Sequence, residues 1–399
     1  MHVKNCPPDG GDGRDWSAYN SGQINEKRNF IEILNELCRE VPEQTYVTGH
    51  PPFLLSDMSF CLVYKVYTTF SSRRFQYDLQ EARANGFIRD VPSATSISAY
   101  MRAELVTEIL QLLLVKSSLP LAGIEKVFAA DSTGFGIPGF TQWYNRHKGR
   151  VEKRRAFMKL HVMIGVKSNI ITWAEPSESN GSDRVYLRSL VEGTARYFEI
   201  SEVSADAGYL SAENFRTILL AGGIPFIAFY KNCSLYGDYK SEFWKNLLYL
   251  YKTRHPRFTE HYYLRNNVEA TFSSMKRKFG GRLRSKLRRG QFNEALCKAL
   301  CHNICVLIQS MYLMKIKPTS WSEVAPRPEA EEGLTGAGLK RREQDFAEIR
   351  TAAAGRDEYM RQQDASTEWL SNDRQQMNEP TQPPSPAQSG YERDAKHHN

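Results

Sequence analysis

The sequence predicts a mixed α/β fold, a sheet flanked by helices, with an amino-terminal helical region before it and a polar tail after it. Three observations carry this expectation. Apolar segments from about residue 123 read in the order β-β-β-α-β-α-β. The segments before them repeat apolar residues near a 3.6 period, and beyond Pro318 large apolar residues become scarce. The strand order suggests a mixed sheet rather than an alternating dinucleotide-binding unit, and no GxGxxG or GxxxxGK(S/T) pattern marks a nucleotide loop.

Residues 1–22 are rich in Gly, Pro and Asp and read as flexible. Ile24, Phe30, Ile33, Leu34 and Leu37 then recur at helical spacing, and further helices are expected near 56–69, 72–85 and 93–115. This region, 23–118, carries Arg73, Arg74, Arg83, Arg89 and Arg102, which suit DNA contact; a purely structural bundle fits the pattern nearly as well. KVFAAD, KLHVMIGV and NIITWAEP are expected strands, the last two joined at Lys167–Asn169. A helix near 183–197, the strand EISEVSAD, the helix SAENFRTILLAG and the strand IPFIAFY follow. An amphipathic helix over 242–252, a second over about 262–279 and a long apolar one over about 292–315 complete a domain spanning 119–317. Residues 318–399 read as a largely disordered polar tail with a transient helix near 340–363, so truncation after residue 320 is expected to leave the core foldable.

A chain of 399 residues can bury a sizeable α/β core. Its formal charge of +8 is unevenly spread: the tail from 318 carries a net −5 and the remaining residues +13. That excess, on a body rich in Tyr and Phe, suits an anionic polymer better than a small neutral metabolite. Seven cysteines without a close CxxC pair argue for a reducing compartment and free thiols. Cys297, Cys301 and Cys305 lie beside His302, but inside an apolar helical run, and read as small buried residues rather than a metal site. No charged leader precedes an apolar run, and apolar stretches such as LLLV at 112–115 are too short to cross a bilayer. The expectation is a soluble intracellular protein with no membrane partner, cytoplasmic or nucleoid-associated in a prokaryote.

Asp131 closes the apolar run VFAAD and Asp206 closes EVSAD. On neighbouring strands the two carboxylates would share one sheet edge, where a divalent cation would relieve their repulsion. Taken singly, each aspartate reads as the residue that starts the following turn. The third element is HYYLRNNVEATFSSMKRKFGG, in which Tyr262, Arg265, Glu269 and Lys276 would fall within about a 60° arc of one helix face. Val268, Phe272, Met275 and Phe279 form an adjoining apolar stripe able to dock that helix. A charged, solvent-facing helix is the plain alternative.

These residues resemble the DDE transposases of the IS4/IS5 type, whose catalytic domain has a ribonuclease-H-like fold. The resemblance rests on DST at 131–133, DAGY at 206–209 and Y-x2-R-x3-E-x6-K from Tyr262 to Lys276, and covers about residues 120–312. It implies that Asp131, Asp206 and Glu269 are catalytic metal ligands for two Mg²⁺, with Mn²⁺ as a substitute. It also implies that Arg265 and Lys276 assist DNA binding and strand placement. Hydrolysis at an element end would release a 3′ hydroxyl that attacks target DNA, exchanging one phosphodiester for another without ATP. The partners implied are element-end DNA, target DNA and further copies of the chain, a homodimer or higher oligomer. The alternatives are a catalytically inactive, transposase-derived DNA-binding protein and a nuclease that cuts without joining.

Ser273–Gly290 holds eight basic residues and no Asp or Glu: Lys276, Arg277, Lys278, Arg282, Arg284, Lys286, Arg288 and Arg289. Such a run suits a phosphate backbone and would supply salt-sensitive affinity rather than base identity. A second group, from Arg146 through Arg155, adjoins Trp143 and Tyr144, which could stack on a base or pack a loop.

Overall fold

Val127–Gly136 (β1), Phe157–Gly165 (β2) and Ile171–Glu178 (β3) pair antiparallel, while Glu202–Ala205 (β4) and Ile224–Ile227 (β5) join parallel on the other side of β1. The order β3-β2-β1-β4-β5 is the mixed, helix-flanked sheet of the ribonuclease-H-like expectation. A computed structural model describes residues 15–43, 52–138, 157–178, 181–235, 241–327 and 336–362, with backbone alone for 336–342. The basic and aromatic group at 143–155 lies outside the described residues.

The amino-terminal helices are Trp16–Ile24 (α1), Glu26–Cys38 (α2), Leu55–Thr68 (α3), Gln76–Ala84 (α4), Ala94–Tyr100 (α5) and Glu104–Ser118 (α6). Two of them depart from the expected boundaries. α1 begins inside the segment read as flexible, because the Asp15 side chain accepts from the Ala18 amide (2.9 Å) and Gly22 packs closely on Gln309. The single helix expected over 93–115 is broken at Met101–Ala103, where the Asn293 side-chain amide takes the Met101 and Ala103 carbonyls, each at 3.0 Å.

Leu187–Ala195 (α7) and Ala212–Leu220 (α8) flank the sheet, followed by Glu242–Lys252 (α9), Pro256–Tyr263 (α10), Asn266–Phe279 (α11) and Arg288–Leu313 (α12). α12 lies between β2–β3 and helices α1, α2, α3 and α6, which explains its apolar character on nearly every side. By length and composition it could cross a bilayer, contrary to expectation; here its apolar surface is mostly buried inside the protein. Cys297, Cys301 and Cys305 are buried in it, as their spacing suggested. Asn303 accepts from the Ile171 amide (2.9 Å) and donates to the Ile171 carbonyl (2.7 Å), covering the edge strand β3, whereas the buried Gln309 side-chain amide makes no hydrogen bond among the described residues. One hydrophobic core thus runs from Phe30 on α2 through Leu300 on α12 to Val162 on β2.

The described residues after Pro318 pack against the rest of the protein. Trp321 is buried, and the Arg327 amide and guanidinium bond the Arg196 and Phe198 carbonyls at 2.7 and 2.8 Å. A further helix, Gly336–Ala352 (α13), packs on α9: Phe346 lies 4.2 Å from Phe243 between ring centroids, and Ile349 is buried. A few well-spaced apolar residues suffice there because α9 supplies the complementary face.

Candidate active site

β1 and β4 run parallel with Ala130 opposite Ala205, and the next residue on each is an aspartate. Asp131 and Asp206 therefore emerge side by side, about 5 Å apart at the backbone by ordinary strand spacing. Asp131 does not end its strand, as the apolar run suggested; β1 continues to Gly136 against β2. What ends there is the parallel pairing, because β4 stops at Ala205. Asp206 keeps extended backbone and caps the short helical turn Ala207–Tyr209, accepting from the Gly208 amide at 2.9 Å.

Asp131 accepts from the Ser132 amide (2.8 Å) and from the Arg265 guanidinium (2.6 Å). Burial lifts its pKa above the usual aspartate value; the Ser132 amide and Arg265 pull it back, and the Asp206 charge pushes it up again. The same guanidinium lies 3.6 Å from Glu269 Oε1, whose side chain is 66% exposed. Tyr262 hydrogen-bonds Arg265 and places its ring 5.9 Å from the guanidinium carbon. Arg265 Nε is buried and makes no hydrogen bond among the described residues.

The expected single helical face is not what joins these groups. Tyr262 is on α10, and Arg265 stands at the start of α11. Between them the amides of Leu264, Arg265, Asn267 and Val268 bond three residues back rather than four, which tightens the chain and restarts the helix. The apolar stripe is as expected: Val268, Phe272, Met275 and Phe279 are buried. Lys276 lies apart from the carboxylates, with Nζ 5.6 Å from the Phe135 ring centroid and its pKa lowered by burial.

Among the described residues no group of three or more His, Cys, Asp or Glu side chains is assembled to hold a metal ion. Asp131 and Asp206 fit a hard divalent cation in donor chemistry, since both offer carboxylate oxygens from one edge. Glu269 reaches them here only through Arg265, whose guanidinium neutralises Asp131.

A polar cluster beside Asp131 escaped sequence reasoning. Asp183 accepts from Lys159 (2.6 Å) and from the Ser132 hydroxyl (3.2 Å). Buried His161 bridges the Tyr209 hydroxyl (3.1 Å) and Ser177 (2.8 Å) and stacks on Tyr186. Burial, with the Asp131, Asp183 and Asp206 charges nearby, drives the Tyr209 hydroxyl well above its ordinary pKa, so it stays protonated. Tyr209 was legible only as part of DAGY; Asp183 looked like a helix start.

Residues 122–304 match the family described as the transposase DDE domain. The sheet from β1 to β5, with Asp131, Asp206 and Glu269, lies inside the matched segment. The chain is also similar to piggyBac transposase in a cryo-EM structure of its synaptic complex with hairpin DNA. That likeness has a TM-score of 0.38 and 10% identity, covering 85% of this chain and 80% of the other. No curated protein matches the sequence.

Within the matched segment the basic run is more divided than its sequence suggests. Lys278 pairs with Glu26, Arg288 with Glu178 and Arg289 with Glu104, all acids from distant segments. Arg277, Arg282 and Arg284 are exposed and make no ion pair among the described residues; Lys286 is exposed as well. A cavity of about 410 Å³ is lined by Arg288, Arg289 and Phe292.

Proposed function

We propose that this chain is a DNA transposase of the IS4/IS5 type that cuts element ends and joins them to target DNA, with Asp131, Asp206 and Glu269 as its catalytic carboxylates. The observation that carries the reading is the placement of Asp131 and Asp206 side by side where the parallel part of the sheet ends, within a segment matching a transposase DDE domain. The Y-x2-R-x3-E-x6-K spacing supports the finer type. Mg²⁺ or Mn²⁺ held by these carboxylates would activate a water or 3′-hydroxyl nucleophile and stabilise the leaving oxygen.

The chain's own residues do the rest. Arg265 holds Asp131 and Glu269 as a cationic bridge. Tyr262 limits the rotation of that guanidinium. Arg277, Arg282, Arg284 and Lys286 offer exposed charge for the DNA backbone, and oligomerisation would bring two element ends together.

The test compares Glu269→Gln with the parent on an intact end and on a pre-cut 3′-hydroxyl end, alongside DNA binding and folding. Because Glu269 is exposed, folding and most DNA affinity should persist while both cleavage and joining are lost. Near-normal joining at matched protein and Mg²⁺ would refute the role of Glu269. Cleavage without joining by the parent would favour a nuclease, and binding without either reaction an inactive DNA-binding protein.

A further inference from the structure

Lys298 is a buried ammonium inside α12 that the chemistry above does not use. Its three protons meet three backbone carbonyls, those of Phe279 (2.8 Å), Gly280 (2.6 Å) and Arg282 (3.0 Å), so its donor capacity is filled. The Phe135 ring lies 5.3 Å away. One turn earlier, Glu294 is also buried, and its carboxylate accepts from the Arg284 amide (2.9 Å) and the Ser285 amide (2.8 Å). Burying two opposite charges is costly, and burial pulls Lys298 down to about 8. Both charges act on one short exposed segment of chain.

That segment starts at Gly280, where a positive φ of 83° ends α11. It is then laid against the end of β1: the Gly136 amide donates to the Gly281 carbonyl (3.0 Å) and the Leu283 amide to the Gly136 carbonyl (2.8 Å). Leu283 is buried, so Arg282 and Arg284 on either side point outward. Gly136 stands five residues beyond Asp131, about 17 Å along β1.

We propose that Glu294 and Lys298 are positioning residues for DNA: they clamp the 279–285 backbone so that Arg282 and Arg284 stand as two fixed phosphate contacts at a set distance from the catalytic carboxylates. The inference rests on the DNA-binding reading above and adds to it the residues that fix the contact. A fixed pair binds without losing the freedom that a mobile loop would have to give up.

The experiment measures binding of the full chain to a mixed-sequence duplex over a KCl series, with urea unfolding as the check on folding. Arg282→Gln with Arg284→Gln should lower the slope of log affinity against log salt by about 1.8, two contacts at about 0.9 each. Folded Lys298→Met should lose at least half of that slope while both arginines remain, and should remove no further slope when added to the double variant. Glu294→Gln should behave in the same direction and stands in if Lys298→Met does not fold. A full slope in the folded clamp variants, or a slope loss additive with that of the arginines, overturns the clamp alone. An unchanged slope in the arginine double variant overturns the phosphate track itself, and the clamp with it.

Discussion

Arg265 touches Asp131 through one terminal nitrogen and approaches Glu269 with the other, a task that uses the width of a guanidinium. Lysine brings a single ammonium and cannot span both. Arg265→Lys should therefore raise the Asp131 pKa further and cost about 1–2 kcal/mol, because a largely buried carboxylate loses its fixed partner. Urea unfolding and carboxylate NMR titration check this; an unmoved Asp131 titration would show that the pairing contributes little. A second single residue, His302, is buried on α12 and bonds the Asn169 carbonyl at 2.9 Å in the β2–β3 turn. Burial is the largest influence on it, and its pKa falls to about 4. The unfolded chain takes up this proton below about 6.5 and the folded chain only near 4, so stability is present above pH 6.5 and is lost as pH falls towards 4. The loss should approach about 3 kcal/mol. His302→Gln keeps a donor for Asn169 and should lessen the slope across that window without abolishing it, because burial lowers His161 to about 4 as well; an unchanged pH slope would remove His302 as a source.

The longer elements show what local sequence can and cannot encode. The strands and the apolar stripe of α11 were legible because alternation and the 3.6 period are properties of neighbouring residues. The break before Arg265 was not, since three-residue hydrogen bonds retain helix-like spacing over so short a stretch. The acids that pair with Lys278, Arg288 and Arg289 were hidden for another reason: Glu26, Glu178 and Glu104 meet them only through the fold. Asn303 is the same case inside α12, a polar residue in an apolar run whose partner is the backbone of an edge strand. Asn303→Leu would keep most of the side-chain volume but leave the Ile171 amide and carbonyl buried without that partner. The expected cost is about 3 kcal/mol, measured by urea unfolding. A loss below about 1 kcal/mol would mean that the edge of β3 does not depend on α12 for pairing.

Across the whole molecule the helical region and the sheet share one core, with α12 as the common wall, so the boundary near 118 divides sequence patterns rather than hydrophobic interiors. The same holds at the other end. The drop in large apolar residues after Pro318 suggested a dispensable tail, yet Trp321 is buried beside α6, and Ile349 is buried on α13, which packs against α9. Arg356 bonds Glu242 and Asn246 on α9, each at 2.7 Å. Composition averages over a window and misses a few anchors whose partners lie a hundred residues away. Removing everything after residue 320 should therefore uncover the apolar face of α9 as well as delete its cover. Burial of a large apolar side chain contributes about 1.5–3 kcal/mol, so losing Trp321, Phe346 and Ile349 should cost about 4 kcal/mol or more. That is a large share of the roughly 5–15 kcal/mol typical of a folded domain, and the truncated chain should aggregate at temperatures the parent tolerates. Ending the chain after residue 362 instead removes the segment containing PTQPPSPAQSG and should leave the unfolding midpoint unchanged. Urea and thermal unfolding of the two truncations beside the full chain decide the matter. Equal midpoints for all three would show that the contacts from 321 to 362 do not hold the core.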